Sequence, residues 1–122
     1  NYRSGTEDCF WFCKGEKPHH FNFLEQDEMI NYKIGNIGQK ETKHPTEKYR
    51  WMIEPLVRVH SNEGDVVLDC FGGSATTAVI CNELDRKWIS CEISRKLWKM
   101  GRCRLLHELK SGFEEEGTML SL

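Results

Sequence analysis

An α/β domain, three-layered but incomplete, with helices packed on a mostly parallel sheet, is what this sequence predicts. Three observations carry that expectation. Two apolar-rich runs, Val66 to Leu68 and Lys87 to Cys91, read as strands, and each is followed by a helical stretch. A turn of small residues, Phe71 to Thr77, joins the first strand to its helix, and an acid closes each strand, Asp69 and Glu92. Strands alternating with helices in this way build βαβ units, whose strands run parallel.

The chain has 122 residues, 39% hydrophobic and 30% charged, with 17 Lys and Arg against 19 Asp and Glu. That length suits one domain, since domains usually run to ~100–150 residues. The apolar content is near the globular norm and no low-complexity tract stands out, which argues against wholesale disorder. No apolar run approaches the ~20 residues that span a bilayer, and no charged-then-apolar leader opens the chain, so a cytoplasmic, non-membrane protein is expected. A net charge of −2 disfavours a self-sufficient nucleic-acid binder. The six cysteines, Cys9, Cys13, Cys70, Cys81, Cys91 and Cys103, are scattered among apolar neighbours and read as reduced core residues. Cys9 and Cys13 have no second Cys or His pair at finger spacing, so no metal site is expected.

Taken in order, residues 1–15 hold a short aromatic run, Cys9 to Cys13, that reads as a buried strand ending at Gly15. Residues 16–42 carry Pro18, Gly35, Gly38 and no sustained period, and form a connector. Residues 43–110 make the core. From Thr46 to Ser61 the spacing of Trp51, Met52, Pro55, Leu56 and Val59 gives one apolar helical face, with Glu47 near its positive end and Pro55 expected to kink or break it. Asn62 to Asp65 turn the chain into Val66 to Asp69, whose unbroken apolar run suits a central strand covered on both faces. Ala78 to Leu84 continue as helix, Lys87 to Cys91 as strand. Ser94 then caps a long helix to about Lys110, with Leu97, Met100, Gly101, Leu105 and Leu109 inward and Arg95, Lys96, Lys99, Arg102 and Arg104 mostly outward. The tail, 111–122, with Glu114 to Glu116, is expected to fray.

Chemistry concentrates at the first strand's end. A small-residue turn between strand and helix lets backbone amides approach a ligand. An acid closing the next strand suits the two hydroxyls of a ribose, and Glu92 lies 23 residues beyond Asp69. The turn lacks G-x-G-x-x-G, so a phosphate-free adenosine cofactor fits better than a dinucleotide. His19, His20, His44 and His60 have no partner at ligand spacing and are assigned nothing catalytic. Basic residues between Arg86 and Arg104 read first as a solvated helix face and second as phosphate contacts, and the tryptophans as core or half-buried anchors.

These residues carry a specific resemblance. Asp69-Cys70-Phe71-Gly72-Gly73-Ser74-Ala75-Thr76-Thr77 resembles the D-P-F-x-G-S-G-T-T loop of the N-4/N-6 DNA methylases, the S-adenosylmethionine-dependent enzymes that methylate exocyclic amino groups of adenine or cytosine. Lys43-His44-Pro45-Thr46-Glu47-Lys48 is similar to their H-P-T-E-K-P element, and Arg86 to Ser94 to their G-R-x-x-I-G-x-E-I-S stretch, in the β-type motif order. Tyr2 to Gly15 more loosely resembles the strand after the family's target-recognition region. The resemblance implies a Rossmann-like methyltransferase fold and S-adenosylmethionine as cofactor. It implies that Asp69 and the Phe71, Gly72, Gly73, Ser74 and Thr76 loop approach the cofactor's amino-acid part, Glu92 its ribose, and Thr46 with Lys48 its carboxylate. The pattern's proline after the Asp is Cys70, its third glycine is Ala75, and its proline after the Lys is Tyr49. A Cβ at position 75 is strained if the turn needs positive φ there.

The family also presents its target base to a D/S-P-P-Y/W loop, and these 122 residues contain no such tetrapeptide. The resemblance places that loop upstream in motif order, and the chain opens on Asn1. The expectation is therefore a cofactor-binding C-terminal portion acting on DNA, its catalytic loop supplied by a longer chain or a second polypeptide. The alternative is a degenerate, non-catalytic binding or structural module. A half-sheet also exposes an edge and an apolar face, so self-association or a covering partner is expected.

Overall fold

The computed structural model describes residues 10, 12–16, 22, 47–109 and 117–121. Its elements in chain order are α1 (Arg50–His60), β1 (Val66–Asp69), α2 (Thr76–Glu83), β2 (Lys87–Glu92), α3 (Arg95–Leu109) and β3 (Gly117–Ser121). The strands form one parallel sheet in the order β1-β2-β3. Val66 lies opposite Lys87 and Asp69 opposite Ser90, while Trp88 to Glu92 run beside Gly117 to Ser121. The helices α2 and α3 connect successive strands, and right-handed crossovers put both on the same face. The alternation along β2 follows: Trp88, Ser90 and Glu92 are buried, while Lys87 and Ile89 are exposed.

Trp88 sits in the core at 2% exposure among Val57, Ala75, Ala78, Val79, Ile80, Cys81 and Leu105. Its indole Nε1 donates to Asn82 Oδ1 at 2.7 Å, the partner a buried N–H requires. The helix α1 packs on α2, where Arg50 pairs with Glu83. Its last carbonyls, orphaned by the end of the helix, are satisfied from afar. Asn22 Nδ2 donates to the Arg58 and Ser61 carbonyls at 2.9 and 2.8 Å, its backbone N–H to Val59 at 2.7 Å, and Arg86 Nη2 to Ser61 at 2.9 Å. Ser94 caps α3 as expected, its Oγ accepting the Leu97 N–H at 3.4 Å.

Several expectations are corrected. The first helix starts at Arg50 rather than Thr46 and runs through a buried Pro55 without a break, because packing of this face carries the helix past a residue that breaks isolated ones. The described members of the aromatic run do not form a buried strand: Phe10, Phe12 and Cys13 are irregular, and Phe10 and Phe12 are 79% and 86% exposed. Trp11 and Cys9 lie outside the described residues, as does most of the 16–42 connector. The first strand is where it was expected, but Val66 and Leu68 are 59% and 62% exposed, because β1 edges the described sheet and the helices cover one face only. On α3, Arg104 points inward and is buried. Cys70 and Cys103 are exposed rather than core; with Cys81 and Cys91 they are free thiols.

The tail does not fray at its end. Gly117–Ser121 form β3, paired in parallel with β2. Glycine is required at the start: a Cβ at Gly117 would stand 2.3 Å from both the Trp88 ring and its carbonyl. No described helix is long and apolar enough to cross a membrane. Gly117→Ala is therefore expected to destabilise the fold by about 1–3 kcal/mol, read as a fall in Tm; a frayed tail would leave Tm unchanged.

Candidate functional site

The chain leaves β1 at Asp69 and must turn sharply into α2 while passing over β2. Asp69 Oδ1 accepts the Phe71 N–H at 2.9 Å, closing the first bend. The Gly72 N–H donates to the Cys91 carbonyl at 2.8 Å, so the turn lies directly on the end of β2. Space there is tight: a Cβ on Gly72 would fall 1.9 Å from Ser90 Oγ and 3.3 Å from Ser90 Cβ, so the buried Ser90 hydroxyl would have to turn aside. Ala75 then adopts φ 63° and ψ 28°, the left-handed region, before α2 begins. This is the strained placement that the sequence left open, worth ~1–2 kcal/mol for a non-glycine residue. Its methyl is buried toward Gly101 of α3, where an added Cβ would approach it to 3.2 Å, and it does not border the cleft described next.

An open cleft of about 1290 Å³ runs along β1 and the strand ends. Lys48, Asp69, Phe71, Gly72, Gly73, Ser74, Thr76 and Glu92 all line it, so eight of the nine expected site residues converge; Thr46 lies outside the described residues. Phe71 stands 89% exposed at its rim, and Ile53, Leu56 and Val57 of α1 give it an apolar wall. Ligand clefts in open α/β sheets occur at the carboxyl ends of the strands.

Glu92 is 7% exposed, and both carboxylate oxygens are engaged. Oε2 accepts the Gly73 N–H at 2.9 Å and Oε1 the Ser94 N–H at 2.7 Å. Each oxygen keeps a second lone pair, which leaves capacity for a diol in the cleft. Ser74 and Thr76 are buried and brace the site: their hydroxyls lie 3.4 Å apart, and Thr76 Oγ1 donates to the Lys48 carbonyl at 3.2 Å. Two residues that sequence reasoning did not assign, Arg104 and Glu47, complete the brace. Arg104 Nη1 donates to Thr76 Oγ1 at 3.0 Å and to the Ser74 carbonyl at 3.1 Å, and lies 3.8 Å from Glu47 Oε1. The only signal for them was an arginine on a helix face otherwise rich in exposed charge.

Burial pushes the Cys81 thiol, in α2 beneath the turn, up to about 11 from an ordinary 9.0, with Arg86 opposing the shift and Asp69 adding to it.

A Rossmann-like α/β domain with a cleft of this composition at its strand ends is a defined class of cofactor-binding fold. The sequence model of the DNA methylase family matches residues 1–101, and the chain belongs to that N6/N4 methylase family. It is 30% identical over 116 residues to the type II methyltransferase M2.DpnII of Streptococcus pneumoniae, covering 85% of this chain and 43% of that one. It is 39% identical over 75 residues to M1.MboII of Moraxella bovis, covering 62% and 27%. Among solved structures, the M1.HpyAVI complex with S-adenosylmethionine superposes with a TM-score of 0.59 at 33% identity, over 70% of this chain and 42% of that one. A putative DNA modification methylase of Thermus thermophilus, complexed with S-adenosyl-L-methionine, gives 0.52 at 27% identity, covering 61% and 29%. The expected methyltransferase fold is thus borne out. The chain spans less than half the length of these relatives.

In the native protein Cys70 and Cys103 are expected to react with an alkylating reagent at neutral pH while Cys81 reacts only after unfolding, as mass spectrometry would show. A folded-state value above the unfolded one means that the unfolded chain loses its proton first. The fold should therefore lose stability as pH rises from 9.0 toward about 11, and Cys81→Ala should flatten that part of the profile.

Proposed function

We propose that this chain is the cofactor-binding portion of a DNA methyltransferase that moves a methyl group from S-adenosylmethionine to an exocyclic amino group of adenine or cytosine. The observation that carries the proposal is the convergence of Lys48, Asp69, the Phe71–Gly73 backbone and Glu92 on one cleft. The donor set fits the cofactor's chemistry. A lysine suits its carboxylate, Asp69 its ammonium, and Glu92 the ribose diol; Thr46 belongs with Lys48 in this reading, and Ser74 and Thr76 hold the loop beneath it. When bound, the cofactor supplies an activated methyl on a sulfonium, and this chain's contribution is to fix its orientation.

Holding the target amino nitrogen requires a loop of the D/S-P-P-Y/W kind, which these residues do not contain. In this proposal the loop and the recognition of DNA come from a longer chain or a second polypeptide, packed where, among the described residues, β1 and the second sheet face stand open. The Ala75 methyl, although it strains the turn, does not line the cleft and so does not obstruct a ligand there.

Calorimetric titration with S-adenosylmethionine tests the proposal. Saturable binding is expected, weakened about 10- to 100-fold by Glu92→Ala through loss of charge-assisted hydrogen bonds; a folded chain that does not bind would overturn it. Light scattering of the isolated chain is expected to give a mass above the monomer, since Val66, Leu68 and Ile89 leave an apolar face exposed. A monodisperse monomer would count against a surface that needs covering.

A further inference from the structure

We infer that Arg104 is a positioning residue for the methionine end of the cofactor cleft, setting Lys48 and the 74–76 turn in place without touching the ligand; this rests on the cofactor reading above. Arg104 does not line the cleft. Its neighbours on α3, Arg95, Lys96, Lys99 and Arg102, are all exposed, while Arg104 is buried at 9% exposure. Burying a guanidinium is costly, so the fold holds one here only where strong acceptors offset that cost. Its Nη1 finds them by joining three groups from two separate stretches of chain: the Ser74 carbonyl and Thr76 hydroxyl of the turn, and the Glu47 carboxylate, whose side chain is 3% exposed.

The partners show what the contact controls. Thr76, held by Arg104, in turn donates to the Lys48 carbonyl. One guanidinium therefore fixes the spacing between the two walls on which the cofactor's amino-acid part would rest. Glu92 is anchored separately, through Gly73 and Ser94. Loss of Arg104 leaves the Glu47 charge buried without this cation and releases the 47–48 wall, while the ribose anchor keeps both its amides. The consequence is selective: affinity for the amino-acid part falls while affinity for the nucleoside part stays.

The experiment compares S-adenosylmethionine and adenosine as titrants of the same chain. In Arg104→Met the S-adenosylmethionine Kd should rise about tenfold or more while the adenosine Kd stays within about twofold; Arg104→Lys, which keeps the charge, should restore part of the loss. Thr76→Val should produce the same selective loss, and the double variant should lose no more than Arg104→Met alone, since both break one chain of contacts. Equal loss for both ligands, or no loss, in a folded variant would overturn the inference. Should Arg104→Met not fold, Arg104→Lys decides, and an unchanged ratio of the two affinities there would overturn it. Failure of the wild-type chain to bind S-adenosylmethionine would instead overturn the cofactor reading itself.

Discussion

The turn from Asp69 to Thr76 has to cross the end of β2 at backbone contact distance, and most of the structure is arranged around that crossing. Gly72 sits where a Cβ would collide with Ser90 Oγ, and its N–H is held by the Cys91 carbonyl. Ala75 must enter the left-handed region to start α2. A Cβ at Gly101 of α3 would stand 2.9 Å from Met119 Cε, 3.0 Å from the Gly73 carbonyl and 3.2 Å from the Ala75 methyl, so α3 passes the turn with a residue that has no side chain. Strand pairing, helix start and helix packing are thus three consequences of one steric constraint. The strain at Ala75 persists because the surrounding contacts over-determine the turn.

Electrostatics hold the turn from beneath. A buried ion pair gains little over apolar packing, but removing one member costs ~3–5 kcal/mol because a charge is left behind. Glu47 and Arg104 are such a pair, at 3.8 Å with side chains 3% and 7% exposed. Hydrogen bonds from Arg104 to Ser74 and Thr76 give its charge further acceptors. The arrangement specifies geometry more than it adds stability, since it locks the 47–48 segment, the turn and α3 into a single relation. Glu92 plays the matching part on the other side, where two backbone amides hold its carboxylate at the cleft.

Much of this was legible in the sequence, and the pattern of misses has a physical cause. β1, α2, β2 and α3 fall within a few residues of where apolar runs, the small-residue turn and Ser94 placed them, because local signals dominate there. Of the nine residues that motif order proposes for the site, eight line one cleft. What sequence could not supply depends on distant partners. β3 exists because β2 offers an edge to Gly117–Ser121, and five residues behind three glutamates carry no such signal of their own. Arg104 looks like its solvated neighbours on α3 until the turn and Glu47 are brought over it. The aromatic run at Phe10 and Phe12 reads as a strand, but among the described residues no strand pairs with it.

The exposed side of β1 follows from the same logic. Val66, Val67 and Leu68 form the unbroken apolar run of a strand meant for burial on both faces, yet the described helices cover one. The cleft continues along this strand, with Ile53, Leu56 and Val57 forming its wall. The hydrogen bonds at Glu92 and the brace at Arg104 lie within the described residues; among those residues, what stands open is an apolar strand and its edge. The two needs are separable in kind. The cleft's geometry is fixed by short polar contacts, whereas the outer surface asks only for apolar cover and backbone pairing. An element that covered β1 would therefore leave the hydrogen bonds at Glu92 undisturbed.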